Sequence, residues 1–584
     1  MSASKTNASL YRTMKHFTLL WLLPLFIASP LFAQERLYPY LQAVEPNSIC
    51  INWLSHLKNP TSEVQYGVSA DSLTMRAHGG IPIMPGRLFK FHKVKLENLT
   101  PNTKYYYRVV SHDGGKESLS EVYSFKTLPM HGHMATADGH LRFLVMGDNQ
   151  LLGNDRYNRL VRAAHDVTMA KWGDSMNASP DDYIAMTIMV GDQVDVGMAQ
   201  HYEKVHFVKN RLLSSNLAIQ TLVGNHETYG RPGLSLYHDL FEIDGFEYMG
   251  IKSGSEDFFA RQAGNVLFIG LCSEKTAGAS DEKQEQWLKQ ILAAAESDST
   301  VDWIISLSHR PYQTEQCAGD IYPWLRQTAV PMMSKLNKYV LHIGAHHHNY
   351  ARGQLKEAPA YHMISGGTSW DQYWGSGKEE NYDDVQKTIS QWCFQLIDID
   401  LEKKSFNVES YSIGSKYEWL PNVKVDEFHR IKGKARPNQP HIVGCFDTDR
   451  PINLSEVVIQ GSTYSSPSNE ECNSTQFQVS KFSDFSEVQY ENYRHYEDLF
   501  GKADRRDHSK NLNEGVNIFM TTIPTGSVYR GLNYARVRYR DRNLNWSEWS
   551  EAVRFNVGDG GAEPKLKLTV AKNVTPVSDA VKGR

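Results

Sequence analysis

Five short motifs that combine aspartate, histidine, asparagine and glutamine lie between residues 146 and 348 of this chain. In order they are Met146-Gly147-Asp148-Asn149-Gln150, Gly191-Asp192-Gln193-Val194-Asp195, Gly224-Asn225-His226-Glu227, Ser308-His309-Arg310-Pro311 and Ala345-His346-His347-His348. Carboxylate, imidazole and amide groups are ligands of divalent metal ions, and one carboxylate can bridge two ions about 3.5 to 4 Å apart. The motifs therefore supply enough ligands for two adjacent metal ions, and they predict metal-dependent hydrolysis of a phosphoester.

A short apolar run precedes each motif and is predicted to be a buried strand. These runs cover residues 143–146, 184–190, 217–223, 303–307 and 339–343. Because each motif follows the carboxyl end of a strand, we expect all five to meet at one rim of a sheet. Helical spacing alternates with these strands and predicts an α/β domain with helices outside the sheets. The predicted helices cover residues 155–171, 199–213 and 282–295.

The length and composition indicate a globular protein of several domains. At 584 residues the chain exceeds the size of about 250 to 300 residues that one hydrophobic core supports. Its 41% hydrophobic and 22% charged residues are ordinary for a folded protein. The net charge of −4 gives no basic footprint, so no nucleic-acid partner is predicted.

The amino terminus has the layout of a secretory signal peptide. Lys15 and His16 precede an apolar stretch at residues 17–32, and cleavage is predicted near Ala33. The stretch is shorter than the roughly 20 residues of a membrane span, although an uncleaved anchor is the alternative. We expect residues 1–33 to be removed and the protein to be exported, to a periplasm or outside the cell, without a membrane anchor.

The cysteines lack the spacing of a metal cluster. None of the six lies in a Cys-x-x-Cys pair, so thiolate metal sites are not expected. Export would permit disulfides, and Cys445 with Cys472 is the pair that we suspect. Isolated buried thiols are the expectation for the others.

Two β-rich regions flank the central one. Residues 37–130 alternate apolar and polar side chains in short runs, and residues 99–109 resemble the turn and sixth strand of fibronectin type III domains. Residues 532–539, followed by Trp546-Ser547-Glu548-Trp549, resemble the last two strands of the same fold. We therefore predict a signal peptide, a β domain at 37–130, the α/β domain at 141–415, a second β-sandwich at 440–558 and a flexible tail at 559–584.

The series of motifs resembles the calcineurin-like metallophosphoesterase superfamily, and four of the five blocks match its pattern in type and order. The leading domain, with Val64-Gln65-Tyr66-Gly67, is similar to the amino-terminal domain of purple acid phosphatases, which makes them the closest branch by architecture. The resemblance implies a β-sandwich core flanked by helices, with all-β domains at both ends. It also implies a pair of metal ions, which would be Mn, Fe, Zn or Mg.

The resemblance also assigns the ligands. Asp148 and His348 would hold the first metal, Asp192 would bridge, and Asn225, His309 and His346 would hold the second metal. Gln150 stands where most of the superfamily has histidine, and an amide oxygen there favours Mn²⁺, Mg²⁺ or Fe over Zn²⁺. The alternative for Gln150 is a hydrogen bond to metal-bound water.

Two further residues acquire catalytic roles from the resemblance. His226 would act as a general acid or as a donor to the transition-state oxygens, while a hydroxide between the metals attacks phosphorus. Asp195 stands where purple acid phosphatases have the tyrosine that gives their colour, so the protein should not be purple. We expect the Asp195 carboxylate to pair with His226 and to raise its pKa.

The substrate is expected to be a small phosphomonoester. Arg310 is a candidate for clamping a phosphate oxygen, with a surface ion pair as the alternative. Trp370, Tyr373 and Trp374 are candidates for the wall of the substrate pocket, or for packing against a neighbouring domain. A phosphodiesterase and a nucleotide or pyrophosphate hydrolase are alternatives with the same site. A non-catalytic surface binding protein is a further alternative. Loss of metal ligands would favour it, but only Gln150 departs from the ligand pattern.

Overall fold

A computed structural model describes residues 37–132, 136–243, 245–370, 377–443, 451–453, 457–500, 511–558 and 569–570. The predicted signal peptide, Cys445, Tyr373, Trp374 and nearly all of the predicted tail lie outside these residues, so the expectations about them stay predictions. Within the described ranges, no helix has the length and hydropathy needed to cross a bilayer.

The amino-terminal domain is a sandwich of two antiparallel sheets, with strand orders β1-β2-β5 and β4-β3-β6-β7; β8 also pairs with β6. Its core forms because alternate strand residues face inward, with Trp53 wholly buried and its indole N–H donating to Ser111 Oγ on the opposite sheet at 3.1 Å. The hydroxyl of Tyr105 accepts a hydrogen bond from the Thr100 amide at 3.0 Å and fixes the corner before β6. The strands are β1 Pro39–Gln42, β2 Ile49–Ser55, β3 Glu63–Gly67, β4 Met75–His78, β5 Lys90–Leu96, β6 Lys104–Asp113, β7 Lys116–Leu119 and β8 Tyr123–Lys126.

The central domain packs a six-stranded sheet, β11-β10-β9-β21-β22-β23, against a seven-stranded sheet, β14-β15-β16-β17-β19-β18-β20. Phe143 of one sheet contacts Phe268 of the other edge-to-face, with ring centroids 5.0 Å apart. The strands are β9 His140–Met146, β10 Met186–Met189, β11 Ile219–Thr221, β12 Glu247–Tyr248, β13 Ile251–Lys252, β14 Phe259–Ala263, β15 Val266–Gly270, β16 Trp303–Leu307, β17 Tyr339–Gly344, β18 Tyr350–Gln354, β19 Tyr361–Ser365, β20 Val385–Ile389, β21 Cys393–Asp400, β22 Ser405–Gly414 and β23 Trp419–Ile431. Because β23 pairs with β22, this sheet continues beyond residue 415, the predicted end of the domain.

The helices of the described residues are α1 Arg156–Trp172, α2 Ala199–His201, α3 Val208–Ser214, α4 Ser235–Leu240, α5 Asp281–Ser297 and α6 Val330–Met333. The predicted helices correspond to α1, to α2 with α3, and to α5, whereas α4 and α6 were not predicted. A π-helical stretch, Tyr202–Phe207, joins α2 to α3, so the predicted helix at 199–213 is continuous but irregular. In α5 the Ser280 hydroxyl caps the first turn by accepting from the Lys283 amide at 3.2 Å. Its apolar face, which includes Trp287 and Ile291, is buried as the spacing predicts.

The strands that carry the motifs belong to both sheets. Strands β9, β10 and β11 run parallel in the six-stranded sheet, and β16 and β17 run parallel in the seven-stranded sheet. The expectation of one rim of a single sheet is therefore corrected: the rim is shared by two packed sheets. The carboxyl ends of all five strands still lie together, because the two sheets face each other.

The carboxyl-terminal domain is a second β-sandwich, with sheets β24-β25-β28 and β30-β29-β26-β27-β31. Its strands are β24 Ile442–Val443, β25 Val458–Gly461, β26 Cys472–Ser480, β27 Val488–His495, β28 Met520–Thr522, β29 Gly531–Asp541, β30 Val553–Val557 and β31 Thr569–Val570. Its contact with the central domain includes a buried ion network in which the Asp426 carboxylate accepts from Arg352 Nε at 2.6 Å and from Lys387 Nζ at 2.7 Å. Glu497 also pairs with Arg352, at 2.5 Å.

Candidate metal centre

Four of the residues predicted to bind metal have a left-handed backbone conformation. Their φ angles are 56° at Asp148, 53° at Asp192, 73° at His346 and 51° at His348. Residues other than glycine rarely adopt such φ angles, and the conformation persists only where the surrounding structure imposes it. The sharp turns at these strand ends point several side chains towards the same place.

Asp148, Asp192 and His348 form a first group of metal-ligand candidates, and one ligand atom of each lies within 4.8 Å of the others. The Oδ1 atom of Asp148 is 3.6 Å from Nε2 of His348. The other oxygen of Asp148 accepts a hydrogen bond from the His346 amide at 2.9 Å, which ties the first motif to the fifth.

Gln150 extends this first group. Its terminal amide nitrogen lies 3.3 Å from Oδ2 of Asp192 and 3.4 Å from Nε2 of His348. The nitrogen and oxygen of an amide are interchangeable by a half-turn of the group, so the oxygen can take the same position. Gln150 therefore lies where a direct ligand would lie.

Asp192, His309 and His346 form a second group that shares Asp192 with the first. Nε2 of His309 lies 3.2 Å from Oδ2 of Asp192 and 3.0 Å from Oδ1 of Asn225. On the far side of the ring, Nδ1 of His309 donates to the Val190 carbonyl at 2.9 Å. With Nδ1 engaged in that hydrogen bond, Nε2 is the ring nitrogen that would bind a metal ion in place of its proton.

His226 lies beside both groups, with its Nε2 3.8 Å from Oδ2 of Asp192. Its Nδ1 is 2.7 Å from the main-chain carbonyl oxygen of Asp195. The Asp195 carboxylate instead accepts from the Leu152 amide at 2.9 Å. The expected carboxylate–imidazole pair is therefore corrected, because the loop that contains Asp195 turns its carbonyl towards His226 and its side chain towards Leu152.

Glu227 joins two loops of the site, a role that no prediction from the sequence included. Its buried carboxylate accepts three backbone hydrogen bonds, from Gly224 at 2.7 Å, from Gln193 at 2.8 Å and from Asp192 at 2.9 Å. These contacts join the loop after β10 to the loop after β11. Burial, reinforced by the Asp192 carboxylate, raises the pKa of Glu227 to about 8. Its position directly after Gly224-Asn225-His226 is the feature of the sequence that could have indicated this role.

Arg310 lies at the edge of the site but is fully paired. Its Nε is 3.0 Å from Glu274 Oε1, and its Nη1 is 2.7 Å from Asp320 Oδ1. The same Nη1 and Asp320 Oδ2 each lie 3.0 Å from Nε2 of His346. Asp320 therefore positions both Arg310 and His346, a role that no sequence motif indicated. His347 points away, with its Nε2 2.7 Å from the Asp320 carbonyl.

The residues fit a pair of bound cations. Within the described residues, three buried atoms of the first group have no hydrogen-bond partner, namely Asp148 Oδ1, Gln150 Oε1 and His348 Nδ1. Burial opposes a charge on His309, but the Asp192 carboxylate outweighs it and raises the pKa of His309 to about 10. A positive charge is thus stabilised among these carboxylates. The mixture of carboxylate, imidazole and amide donors suits divalent first-row metals.

Comparison with known proteins concerns the amino-terminal domain and the fold. Residues 35–127 match the family described as Purple acid Phosphatase, N-terminal domain. The structure resembles that of a purple acid phosphatase from seeds of yellow lupin (Lupinus luteus), with a TM-score of 0.53 and 16% identity over 68% of this chain and 74% of that one. It is also similar to PhoD, with a TM-score of 0.49 and 13% identity over 69% of this chain and 92% of that one. No curated protein matches the sequence.

These findings confirm the predicted resemblance and the predicted fold class. The ligand assignments remain predictions that the geometry of the two groups supports. Residues 35–127 therefore match a purple acid phosphatase N-terminal domain, and about two thirds of the chain is similar in fold to a purple acid phosphatase.

Proposed function

We propose that this protein hydrolyses phosphomonoesters at a centre of two metal ions. The observation that carries the proposal is the pair of ligand groups that share Asp192, one with Asp148 and His348 and one with His309 and His346. Gln150 would complete the first group and Asn225 the second. A ligand shared by the two groups would hold two ions close enough to act together in hydrolysis.

The chemistry would be divided between the ions and the protein. Bound divalent ions would neutralise the phosphoryl oxygens and activate water. Asp192 and Asp148 are buried carboxylates that would hold the ions in place. His226 donates through Nδ1 to the Asp195 carbonyl, so its Nε2 faces the centre. With both ring nitrogens protonated, Nε2 can give its proton to the leaving oxygen or a hydrogen bond to a phosphoryl oxygen.

A phosphodiesterase is the second candidate, and the pairing of Arg310 favours it. A monoester carries a second negative charge that an uncommitted cation would help to bind. Arg310 is held by Glu274 and Asp320, and Lys209 by the Leu151 and Asn154 carbonyls, so among the described residues both of these nearby cations are occupied. A diester, which carries one negative charge, needs no such partner.

The test compares 4-nitrophenyl phosphate with bis(4-nitrophenyl) phosphate. The purified protein is stripped with a chelator and reloaded separately with Mn²⁺, Fe, Zn²⁺ or Mg²⁺. Turnover of the monoester that returns with metal supports the proposal, and turnover of the diester alone selects the second candidate. If no metal restores turnover of either ester, the proposal is wrong.

Export is the remaining part of the proposal. Lys15 and His16, followed by the apolar stretch at 17–32, support removal of a signal peptide near Ala33. Intact-mass analysis of the protein recovered from outside the cytoplasm would show this cleavage. An unprocessed amino terminus would contradict it.

A further inference from the structure

The loops of the candidate metal centre also carry exposed apolar side chains. Four large ones lie beside residues of the site: Leu152 is 40% exposed, Met198 48%, Tyr229 47% and Trp370 37%. Single exposed apolar residues are common on protein surfaces, and Ile81 of the amino-terminal domain is one. These four differ because each belongs to a loop that positions a site residue.

Hydrogen bonds join the loops that carry these four side chains. The Ser369 hydroxyl, next to Trp370, donates to the Asp148 carbonyl at 3.2 Å. The Leu152 amide donates to the Asp195 carboxylate at 2.9 Å. The Gly197 amide, next to Met198, donates to the Tyr229 carbonyl at 3.0 Å. The exposed apolar side chains therefore belong to one connected set of loops, which we call the apolar rim.

The two aromatic members contact site residues directly. The Trp370 indole stacks on the His348 ring, with centroids 5.2 Å apart and an angle of 29°. Tyr229 lies 4.9 Å from the His226 ring, and its hydroxyl accepts from the Asn225 amide at 2.9 Å. His348 belongs to the first ligand group and Asn225 would complete the second, so the aromatic rings stand beside both. A phosphoryl group held at the centre would place its ester group within reach of this rim.

We propose that the apolar rim of Leu152, Met198, Tyr229 and Trp370 selects phosphoesters whose alcohol is apolar, in preference to esters of small polar alcohols. This inference rests on the proposed function. Arg310 and Asp320 are paired with each other at 2.7 Å, so these two charged side chains are not available to bind a polar alcohol group of the substrate. Burial of methylene groups against the rim supplies the binding energy, so kcat/KM rises with the length of an alkyl alcohol.

The experiment measures kcat/KM for methyl, butyl and hexyl phosphate, whose alcohols are similar leaving groups. We expect hexyl phosphate to exceed methyl phosphate by about 10-fold or more. In the double variant Leu152→Ser, Met198→Ser this ratio should fall to about 2-fold. Leu532→Ser is the matched control, because Leu532 is 39% exposed on strand β29 of the carboxyl-terminal domain, and it should keep the wild-type ratio.

Two further substrates distinguish the sources of the preference. Benzyl and cyclohexylmethyl phosphate have similar size and similar leaving groups, but only the first is aromatic. A preference for the benzyl ester assigns the selectivity to stacking on Trp370 and Tyr229. Equal rates for the two, both well above the methyl ester, assign it to burial of apolar surface in general.

Different results would contradict the preference for apolar alcohols and the hydrolysis of phosphoesters itself. A flat alkyl series in an enzyme that hydrolyses 4-nitrophenyl phosphate overturns the inference alone. A ratio that survives unchanged in the double variant also overturns it. An absence of turnover with every ester overturns both. If the protein hydrolyses diesters only, the same ratio is measured with hexyl and methyl 4-nitrophenyl phosphate.

Discussion

The Nδ1 atom of His226 lies 2.7 Å from the main-chain carbonyl oxygen of Asp195. A carbonyl acceptor fixes the imidazole so that Nδ1 carries a hydrogen and Nε2 faces the candidate metal centre. The orientation of His226 therefore depends on the backbone of the second motif. The Asp195 side chain serves another purpose, which is to accept from the Leu152 amide at 2.9 Å.

Substitutions of these two residues should have unequal effects. His226→Asn removes a group that can transfer a proton, and we expect kcat to fall by about 100- to 10,000-fold with metal content retained. Asp195→Asn keeps a side-chain acceptor for Leu152 and the carbonyl that orients His226, so kcat should change by less than about 3-fold. Steady-state kinetics and metal analysis of both variants test this. Equal losses would show that the Asp195 carboxylate takes part in the reaction.

Gln150 should determine which metal the first group prefers. Its amide lies 3.3 Å from Asp192 and 3.4 Å from His348. Gln150→His would add an imidazole, and we expect the affinity for Zn²⁺ relative to Mn²⁺ to rise by about 10-fold or more. Competition between the two metals, followed by elemental analysis, measures this ratio. An unchanged ratio would mean that Gln150 does not reach the metal.

Glu227 should hold the loops of the second and third motifs in register. Glu227→Gln replaces one accepting oxygen with an NH₂ group that faces backbone N–H donors. We expect weaker metal binding by about 10- to 100-fold and a lower melting temperature. Isothermal titration with Mn²⁺ and thermal unfolding test both effects. Glu121→Gln, at an exposed position of the amino-terminal domain, is the control and should change neither.

Asp426 should stabilise the buried ion network that it forms with Arg352 and Lys387 in the central domain. Burial disfavours its carboxylate, but Arg352 and Lys387 outweigh burial and lower its pKa to about 2. Asp426→Asn leaves Glu497 as a carboxylate partner of Arg352 at 2.5 Å and of Lys387 at 3.6 Å. We therefore expect a loss of about 3 kcal/mol at neutral pH, which is at the lower end for a broken buried ion pair. Chemical denaturation measures the loss, and the exposed Asp71→Asn is the control.

The pH dependence of this stabilisation has a definite sign. The pKa of Asp426 is lower in the folded protein than the value of about 3.9 in an unfolded chain, so its contribution is complete above about pH 4. It is lost as the pH falls towards 2. The difference in stability between wild type and Asp426→Asn should therefore shrink over this range. A difference that stayed constant would contradict the assignment of the network's charge to Asp426.

Much of the site could be predicted because residue type and strand position were both visible in the sequence. The apolar runs before the motifs correspond to β9, β10, β11, β16 and β17, and Asp148, Asp192 and His348 are brought together as expected. Parallel strands direct their carboxyl ends to one side, so ligand types at those ends were sufficient to group them.

The rest depends on geometry that residue types do not encode. The contact of His226 with Asp195 involves a main-chain carbonyl, whose direction follows from the local backbone. Asp320 lies in a loop without a motif, and only the fold brings it to His346. The five strands that precede the motifs are divided between two sheets because of the path that the chain takes after β11. Apolar runs in the sequence give no information about that path.

The most direct test of the account is the number of metal ions bound by wild type and by Asp192→Asn. After equilibration with Mn²⁺ and removal of free metal, elemental analysis should find two ions in each wild-type chain. Asp192→Asn should retain one ion or none, and its turnover of 4-nitrophenyl phosphate should fall by about 100-fold or more. One ion in the wild type, or two ions with full turnover in Asp192→Asn, would contradict a centre bridged by Asp192.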